Sequence, residues 1–323
     1  MRTLLEEIVA ALLFGVAIPG TLLSGLVWLQ EHPLREPEPV VMAAEETQPE
    51  AISVTVLHRL EDGTLAEEAL EHYLVGVVLA EMPALFEEEA LKAQAVVART
   101  YTLRAGETGG KHGDGSVCGD HRCCQAYITE EDYVAKGGTR EAVEKIRAAV
   151  LETSGEVLTY GGALIEATYF SCSGGVTEDA AAVWGADYPY LRSVESPGEE
   201  EAAHYTDTAS FTAEEFQQLL GVDLEGDPDS WFGEVTYTKG NGVDTVVIGG
   251  TVYHGTQLRQ LLGLRSTAFS VAVEGDTVVL HTKGYGHRVG MSQYGADAMA
   301  VNGSKYPEIL AHYYRGTELT TLG

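Results

Sequence analysis

Hydrophobic positions in the first half of the chain repeat at the spacing of amphipathic helices. Leu70, Tyr73, Leu74 and Val77 share one helical face. Pro83 ends the pattern near Glu81, because proline disfavours helical geometry for the residue before it. The same spacing predicts three more helices, over residues 86–104, 139–152 and 306–314.

Strand patterns lie between these helices. Residues 53–58 alternate like a strand before a turn at Asp62 and Gly63, and residues 157–160 and 163–170 predict a hairpin. Four more elements are predicted further along: a helix over 212–220, a strand pair about 249–250, a helix over 256–262 and a hairpin about 275–276. Because helices and hairpins do not strictly alternate, the predicted fold class is α+β.

A change of composition at residues 196–201 predicts a hinge and divides the chain into segments. We expect a catalytic domain whose first part spans 52–195, an inserted α+β domain over 196–280, and the second part of the catalytic domain over 281–323.

The N-terminal region has a different character. Residues 8–29 are almost continuously apolar, and this length predicts one transmembrane helix within an anchor of residues 1–30. A cleaved signal peptide is the alternative, but Glu6 and Glu7 are unusual for its positive start. Arg2 points the N-terminus inward, so the remainder is expected outside the cytoplasm. Residues 31–51 read as an acidic, proline-rich tether.

The overall charge excludes one class of partner. The chain has 49 acidic residues against 20 lysines and arginines, and its net charge is −29. Nucleic-acid binding needs clustered basic residues, so no nucleic-acid partner is expected.

Residues 284–295 are rich in glycine and show neither helical nor strand periodicity, which predicts a loop. His287, Ser292, Gln293 and Tyr294 on this loop are candidate sugar-binding residues. The alternative is a turn that packs its polar groups internally. Ser171 and Ser173, on a second glycine-containing loop, are further candidates for binding substrate.

Glu81 offers one carboxyl group beside Leu79 and Met82. Burial by such neighbours raises a carboxyl pKa, as an acid that protonates a glycosidic oxygen requires. A surface glutamate at a helix end is the alternative. Lys92 and Arg99 are two helical turns apart and could orient Glu81 or hold substrate, unless Lys92 pairs with Glu88 on a wet surface.

Three of the four cysteines are close in sequence to two histidines. Cys118, Cys123 and Cys124 occur with His112 and His121, and this density favours a structural zinc site over a disulfide from Cys118 to one of its neighbours. The fourth cysteine, Cys172, could act as a nucleophile with His287, but no orienting residue is apparent, and a small buried thiol is favoured.

Ordered short motifs extend from Val54 to the C-terminus. They occupy residues 80–83, 92–101, 124–127, 173–175, 183–185, 264–266, 286–295 and 309–316. In these motifs the chain resembles the stage II sporulation protein D family (SpoIID/LytB), which includes peptidoglycan lytic transglycosylases.

The resemblance implies a two-domain protein with its active-site cleft at the domain junction. It implies that Glu81 is catalytic, with Lys92 and Arg99 near it. It also implies a metal held by His112, Cys118 and Cys124, for which Cys123 matches better than His121 as the fourth ligand. Arg288 stands where a glycine is usual and is expected to narrow the groove, and Cys172 replaces a small or hydroxylated residue.

The resemblance further implies a location and partners. The expected location is the mother-cell membrane, with a single span and the domains facing the forespore. The expected partners are peptidoglycan strands, an amidase resembling SpoIIP and a membrane scaffold resembling SpoIIM.

The predicted function is non-hydrolytic cleavage of the β-1,4 bond between N-acetylmuramic acid and N-acetylglucosamine, in strands without stem peptides, during forespore engulfment. Glu81 would protonate the leaving oxygen and then deprotonate the muramic C6 hydroxyl, which closes a 1,6-anhydro ring. A hydrolase that leaves reducing ends is one alternative. A non-catalytic glycan-binding activator of a partner amidase is another.

Overall fold

The computed structural model describes residues 54–322, which belong to one compact unit. The predicted anchor of residues 1–30 and the tether of residues 31–51 lie outside the described residues. Across the described range, no helix combines the length and the apolar character that a bilayer crossing requires. This finding contradicts the predicted single-pass membrane localisation.

Nine helices occur in the described residues, most of them within a few residues of the predicted bounds. They are α1 (Leu70–Glu81), α2 (Glu88–Thr108), α3 (Glu130–Ala135), α4 (Arg140–Glu152), α5 (Ala180–Trp184), α6 (Ala213–Leu220), α7 (Gly255–Leu261), α8 (Gln293–Val301) and α9 (Tyr306–Tyr313).

Fourteen short strands accompany these helices in the same part of the chain. They are β1 (Thr55–Arg59), β2 (Leu65–Ala69), β3 (Val117–Cys118), β4 (Glu156–Tyr160), β5 (Ala163–Leu164), β6 (Tyr169–Phe170), β7 (Thr206–Thr212), β8 (Phe232–Tyr237), β9 (Val243–Ile248), β10 (Thr251–His254), β11 (Phe269–Glu274), β12 (Thr277–Lys283), β13 (Met291–Ser292) and β14 (Glu318–Thr321). The predicted mixture of helices and sheets is confirmed.

The strands form five small sheets, in the orders β2-β1-β3, β14-β4-β5, β13-β6, β11-β12-β7 and β10-β9-β8. Most pairs are antiparallel, but β6 runs parallel to β13. That pair joins residues 169–170 to residues 291–292 and brings the segments before and after them together. The two candidate loops of the sequence therefore meet at one place in the fold.

Two hydrophobic cores lie within the compact unit. The larger is formed by α1, α2, α4, α8 and α9, with Tyr73, Leu74 and Leu91 fully buried. The smaller contains Phe216, Trp231 and neighbours up to Leu280. Burying such side chains stabilises a fold by roughly 1.5–3 kcal/mol each. The division into a catalytic and an inserted domain stays a prediction.

Two predicted elements differ from the structure. The second strand of the predicted hairpin, residues 163–170, stops at Leu164. The Glu166 N–H donates to the Tyr190 hydroxyl at 3.0 Å and therefore does not continue the strand ladder. The predicted loop 284–295 is a loop only to residue 290. Ser292 then caps α8 by accepting from the Gly295 N–H at 3.2 Å, and Gln293 begins the helix.

Candidate active site

Glu81 is the last residue of α1, and its side chain is half-buried. One carboxyl oxygen, Oε1, accepts from the Ala126 N–H at 2.7 Å, and the other, Oε2, accepts from Gln293 Nε2 at 3.3 Å. Burial raises the pKa of Glu81 above its usual 4.5, although these two hydrogen bonds and Tyr169 act in the opposite direction. The carboxyl group is therefore held in place and retains its proton to a higher pH than an exposed glutamate.

The Ala126 N–H reaches Glu81 because the segment 124–128 packs closely on α1. Gly76 makes this approach possible, since a Cβ there would lie 2.4 Å from the Tyr127 ring and 2.7 Å from the Ile128 carbonyl oxygen. The Ile128 N–H donates to the Gly76 carbonyl at 3.2 Å, and Tyr127 stacks on Tyr73 at 5.4 Å between ring centroids. These contacts fix the donor that the Glu81 carboxyl accepts from.

Tyr169 is a neighbour of Glu81 that the sequence analysis missed. Its hydroxyl donates to Gln125 Oε1 at 3.1 Å, and Gln125 Nε2 donates to the Thr102 hydroxyl at 2.9 Å. Burial and the nearby Glu81 raise the pKa of Tyr169 well above its usual value, so it remains a neutral phenol. The position of this tyrosine just before the loop at residues 171–175 was the available signal for a site residue. Its hydrogen-bond partner Gln125 is 44 residues away, so the sequence did not reveal the contact.

Glu81 opens onto a cleft of about 980 Å³. Ser171, His287 and Gln293, three of the predicted site residues, also line this cleft. A second, smaller depression of about 390 Å³ contains Tyr294. Glu81, Ser171 and Gln293 line both, so Glu81 lies at the boundary between two concave surfaces.

Aromatic side chains line the larger cleft, and two of them, Trp184 and Tyr188, were not predicted as site residues. Trp184, at the end of α5, is 42% exposed, and Tyr188 and Tyr285 line the same surface. A partly exposed tryptophan that lines a cleft is a candidate for contact with a ligand. The signal in the sequence was one of only three tryptophans, within the motif at residues 183–185.

His287 contributes a neutral ring to the cleft wall. Its Nδ1 accepts from the Val289 N–H at 3.1 Å, and its ring lies 5.2 Å from the Trp184 ring. Burial lowers the pKa of His287 to about 4, and the nearby positive charges of Arg259 and Lys111 act in the same direction. At neutral pH His287 is therefore uncharged.

Ser173 and Ser292 are fully buried and make contacts within the protein. The Ser173 hydroxyl and N–H both donate to Glu199 Oε2, at 2.9 and 2.6 Å. Ser292 caps α8 and donates to the Ser171 carbonyl at 3.4 Å. The structure thus gives them roles in shaping the loops, which differs from the expectation that they contact substrate.

Lys92 and Arg99 are not brought to Glu81, and neither lines the described cleft. Arg99 is fully buried and binds both oxygens of Glu71. Lys92 pairs with Glu152 at 2.6 Å and Glu89 at 3.3 Å, rather than with Glu88. This corrects the expectation that both residues serve Glu81, because their donors are already used by other carboxylates.

Arg288 does not narrow the groove. It is 1% exposed, adopts a positive φ of 65° and pairs with Glu178 at 3.2 Å. Its other donors bind the carbonyls of Ser173, Val176 and Gly240. Cys172 is also buried, and its backbone pairs with Tyr285 in a short bridge. Burial raises the pKa of the Cys172 thiol to about 11, which is the reverse of an activated nucleophile.

A cluster of one histidine and three cysteines lies beside the cleft. The ligand atoms of His112, Cys118, Cys123 and Cys124 lie within 4.8 Å of one another. The three cysteines of the cluster are free thiols. Cys123 Sγ lies 3.9 Å from Cys124 Sγ and 3.7 Å from His112 Nε2. A tetrahedral ion with metal–sulfur bonds of about 2.3 Å spaces its ligands by about 3.8 Å. The set therefore fits a metal ion, and His121, which is largely exposed, is outside it.

Comparisons with known proteins bear on this site. The family model of the SpoIID stage II sporulation protein matches residues 62–160. Stage II sporulation protein D of Bacillus subtilis (strain 168) is 41% identical over 288 residues, covering 88% of this chain and 83% of that protein. The counterpart from Bacillus amyloliquefaciens is 40% identical over 294 residues, covering 90% and 84%.

A more distant relative carries a different name. The amidase enhancer of Bacillus subtilis (strain 168) is 31% identical over 307 residues, covering 77% of this chain and 40% of that protein.

Proposed function

Since this chain belongs to the stage II sporulation protein D family, we propose that it is a lytic transglycosylase that cleaves peptidoglycan glycan strands during forespore engulfment. The observation that carries this proposal is the position of Glu81. A carboxyl group with a raised pKa lies at the boundary of two concave surfaces. A sugar polymer that lies across both surfaces presents one glycosidic bond to that group.

The chemistry needs one carboxyl group. Glu81 protonates the oxygen between N-acetylmuramic acid and N-acetylglucosamine, and its carboxylate then removes the proton from the muramic C6 hydroxyl. That oxygen attacks C1, and the 1,6-anhydro ring forms without water. The other acidic residue among those lining the larger cleft, Glu166, binds Arg104 at 3.0 Å, which leaves it poorly suited to act as a nucleophile.

Neighbouring groups support both stages of this cycle. The Ala126 N–H and the Gln293 amide can donate to the carboxylate that forms after proton transfer. Burial favours return of the proton. Opposing effects of this kind bring a carboxyl pKa towards the working pH, where an acid and base are equally available.

The cleft wall suits sugar rings. Trp184, Tyr188 and Tyr285 offer flat apolar faces with polar edges, on which the apolar side of a pyranose ring can lie. We further propose that this cleft lies at the junction of two domains, because Arg259 of α7, next to Leu258 of the smaller core, lines it together with residues of the larger core.

The cluster at His112 is proposed as a structural zinc site. Three cysteine sulfurs, which are soft ligands, and one imidazole form a set that zinc accepts in tetrahedral geometry. Four protein ligands leave no open position for a reacting group. Cys124 precedes Gln125 and Ala126, so the ion would hold the segment whose N–H binds Glu81.

The alternative is a glycan-binding protein that activates a partner amidase and cuts nothing. The relative named amidase enhancer favours this possibility. The same cleft would then bind strands without using the raised pKa of Glu81. An amidase partner fits either function, because removal of stem peptides by an amidase would expose the glycan strand.

Mass spectrometry of glycan strands incubated with the protein tests the proposal. Strands with and without stem peptides are compared, alone and with an added amidase. Fragments ending in 1,6-anhydro-N-acetylmuramic acid support the transglycosylase. Reducing muramic ends would identify a hydrolase, and fragments absent from every sample would leave the binding protein as the better description.

A further inference from the structure

The charge of the cleft is opposite to the charge of the chain. The chain carries 49 acidic and 20 basic residues, whereas the cleft is lined by Lys111, Arg122 and Arg259 against Glu81 and Glu166. Glu166 is paired with Arg104, and burial favours the neutral form of Glu81. An electropositive wall is therefore retained in a strongly acidic protein.

Arg259 is the most informative of these cations. It lies on α7 and is half-buried, yet no carboxylate of the described residues lies within 4 Å of its guanidinium group. Its Nε donates weakly to the Leu264 carbonyl at 3.4 Å, which leaves the two terminal nitrogens free to meet a ligand in the cleft. Partial burial without a counterion is costly for a guanidinium and needs a reason.

Lys111 supplies a second cation from another part of the fold. It precedes His112, is exposed, and its ammonium group donates to the Cys123 carbonyl, so two of its three donors remain available. Arg122 differs from both, because Asp120 binds it at 3.2 Å and offsets its charge. Lys111, Arg259 and the His287 ring all line the same cleft.

We propose that Arg259 and Lys111 form a carboxylate-binding subsite of the cleft, which recognises an acidic group carried by the glycan strand. Arg259 offers the planar pair of donors that suits a carboxylate, and Lys111 adds a point charge. This inference rests on the proposed function, since it assigns part of the same cleft to substrate choice.

Two acidic groups of a peptidoglycan strand have this chemistry: the lactyl carboxylate of a muramic residue without a stem peptide, and the carboxylates of the stem peptide itself. Both are absent from chitin oligosaccharides, which share the glucosamine backbone. The subsite would therefore separate bacterial wall strands from neutral polymers of the same linkage.

Binding measurements by isothermal titration calorimetry test the inference in a Glu81→Gln background, in which strands are not cut. The ligands are peptide-free strands, the same strands with their carboxyl groups reduced to alcohols, chitin oligosaccharides of equal length, and peptide-bearing strands. The variants are Arg259→Met, Arg259→Lys and Lys111→Met. Arg140→Met and Lys136→Met are matched controls, because both residues are exposed and neither lines the cleft.

We expect Arg259→Met to weaken binding of peptide-free strands by about tenfold or more, as the loss of a charge-assisted hydrogen bond implies. Lys111→Met should have a smaller effect, and Arg259→Lys an intermediate one. The Glu81→Gln parent should bind carboxyl-reduced strands about as weakly as the Arg259→Met variant binds unreduced strands. No variant should change the affinity for the reduced strands. Added salt should weaken binding of the acidic strands more than that of the reduced ones.

Other outcomes are equally informative. An Arg259 effect confined to peptide-bearing strands would assign the anion to the stem peptide and still support the subsite. Equal affinity of the parent for acidic and reduced strands, together with no Arg259 effect on peptide-bearing strands, would overturn the inference, as would equal losses in Arg259→Met and Arg140→Met. If the protein produces anhydro ends but shows no preference for carboxylate-bearing strands, the subsite is rejected and the transglycosylase proposal stands. Carboxylate-dependent binding without cleavage would reject the transglycosylase alone.

Discussion

Replacing Arg99 with methionine should destabilise the fold without acting directly on the reaction. The Arg99 side chain is fully buried, and its guanidinium group donates to Glu71 at 2.9 and 2.6 Å. It also donates to the carbonyls of Val150 at 3.0 Å and Glu156 at 3.1 Å. One side chain therefore joins α2 to α1, to α4 and to β4.

The size of the effect follows from these partners. Removal of one member of a buried ion pair costs about 3–5 kcal/mol, because the other charge loses its partner. The side chain of Glu71 is 25% exposed, so water can partly solvate it and reduce this cost. The two carbonyl groups add about 1–3 kcal/mol each where water does not reach them. Since these contributions overlap, we expect a loss of about 3–5 kcal/mol in the free energy of unfolding.

Urea unfolding followed by tryptophan fluorescence measures this loss. Arg140→Met, an exposed arginine, is the matched control and should leave the free energy of unfolding unchanged. A double-mutant cycle with Glu71→Gln isolates the pair. The reasoning is refuted if Arg99→Met unfolds within about 1 kcal/mol of the parent but no longer cleaves strands. That result would return Arg99 to the expected role of orienting Glu81 or holding substrate.

Three further predictions concern the cleft and its surroundings. Glu81→Gln should raise the melting temperature at neutral pH. Burial raises the folded-state pKa of Glu81 above 4.5, so the parent protein loses stability as the pH rises through that pKa, whereas the glutamine variant does not. The gain in melting temperature should vanish at about pH 4, and a gain independent of pH would contradict this reasoning. Trp184→Ala should weaken glycan binding by about 1–2 kcal/mol with an unchanged melting temperature, because the ring is 42% exposed; unchanged affinity would remove it from the binding surface. Metal analysis should find about one zinc per chain. Chelation or Cys123→Ser should lower the melting temperature, whereas a metal-free protein of equal stability would reject the site.

Local patterns in the sequence were sufficient for most of the helices and for the position of Glu81 at the end of α1. The periodicity of α1 and the position of Pro83 are properties of adjacent residues, so they predicted where the helix ends and which carboxyl group it presents. The signal for α8 was also local but was outweighed by nearby glycines. Ser292 is a good N-cap, and Ala296 and Met299 follow at helical spacing.

Long-range partners could not be predicted in this way. One of the two donors to Glu81 is the backbone N–H of Ala126, 45 residues away, and nothing in an alanine signals that role. The local sequence suggests that Ser173 binds substrate, but its hydroxyl donates to Glu199. The local sequence also suggests that Arg99 faces the cleft, but Arg99 is paired with Glu71. Polar residues on one predicted loop or face have the same local sequence whether they face a ligand or a buried carboxylate.

The central claim is that Glu81 transfers the proton that breaks the strand. Its most direct test is the rate at which 1,6-anhydro ends form with the parent, with Glu81→Gln and with Glu166→Gln, the other carboxyl group of the cleft. We expect Glu81→Gln to lose roughly 10²–10⁴-fold in rate while it still binds strands, and Glu166→Gln to keep most of the rate. Anhydro ends formed by Glu81→Gln at the parental rate would contradict the account.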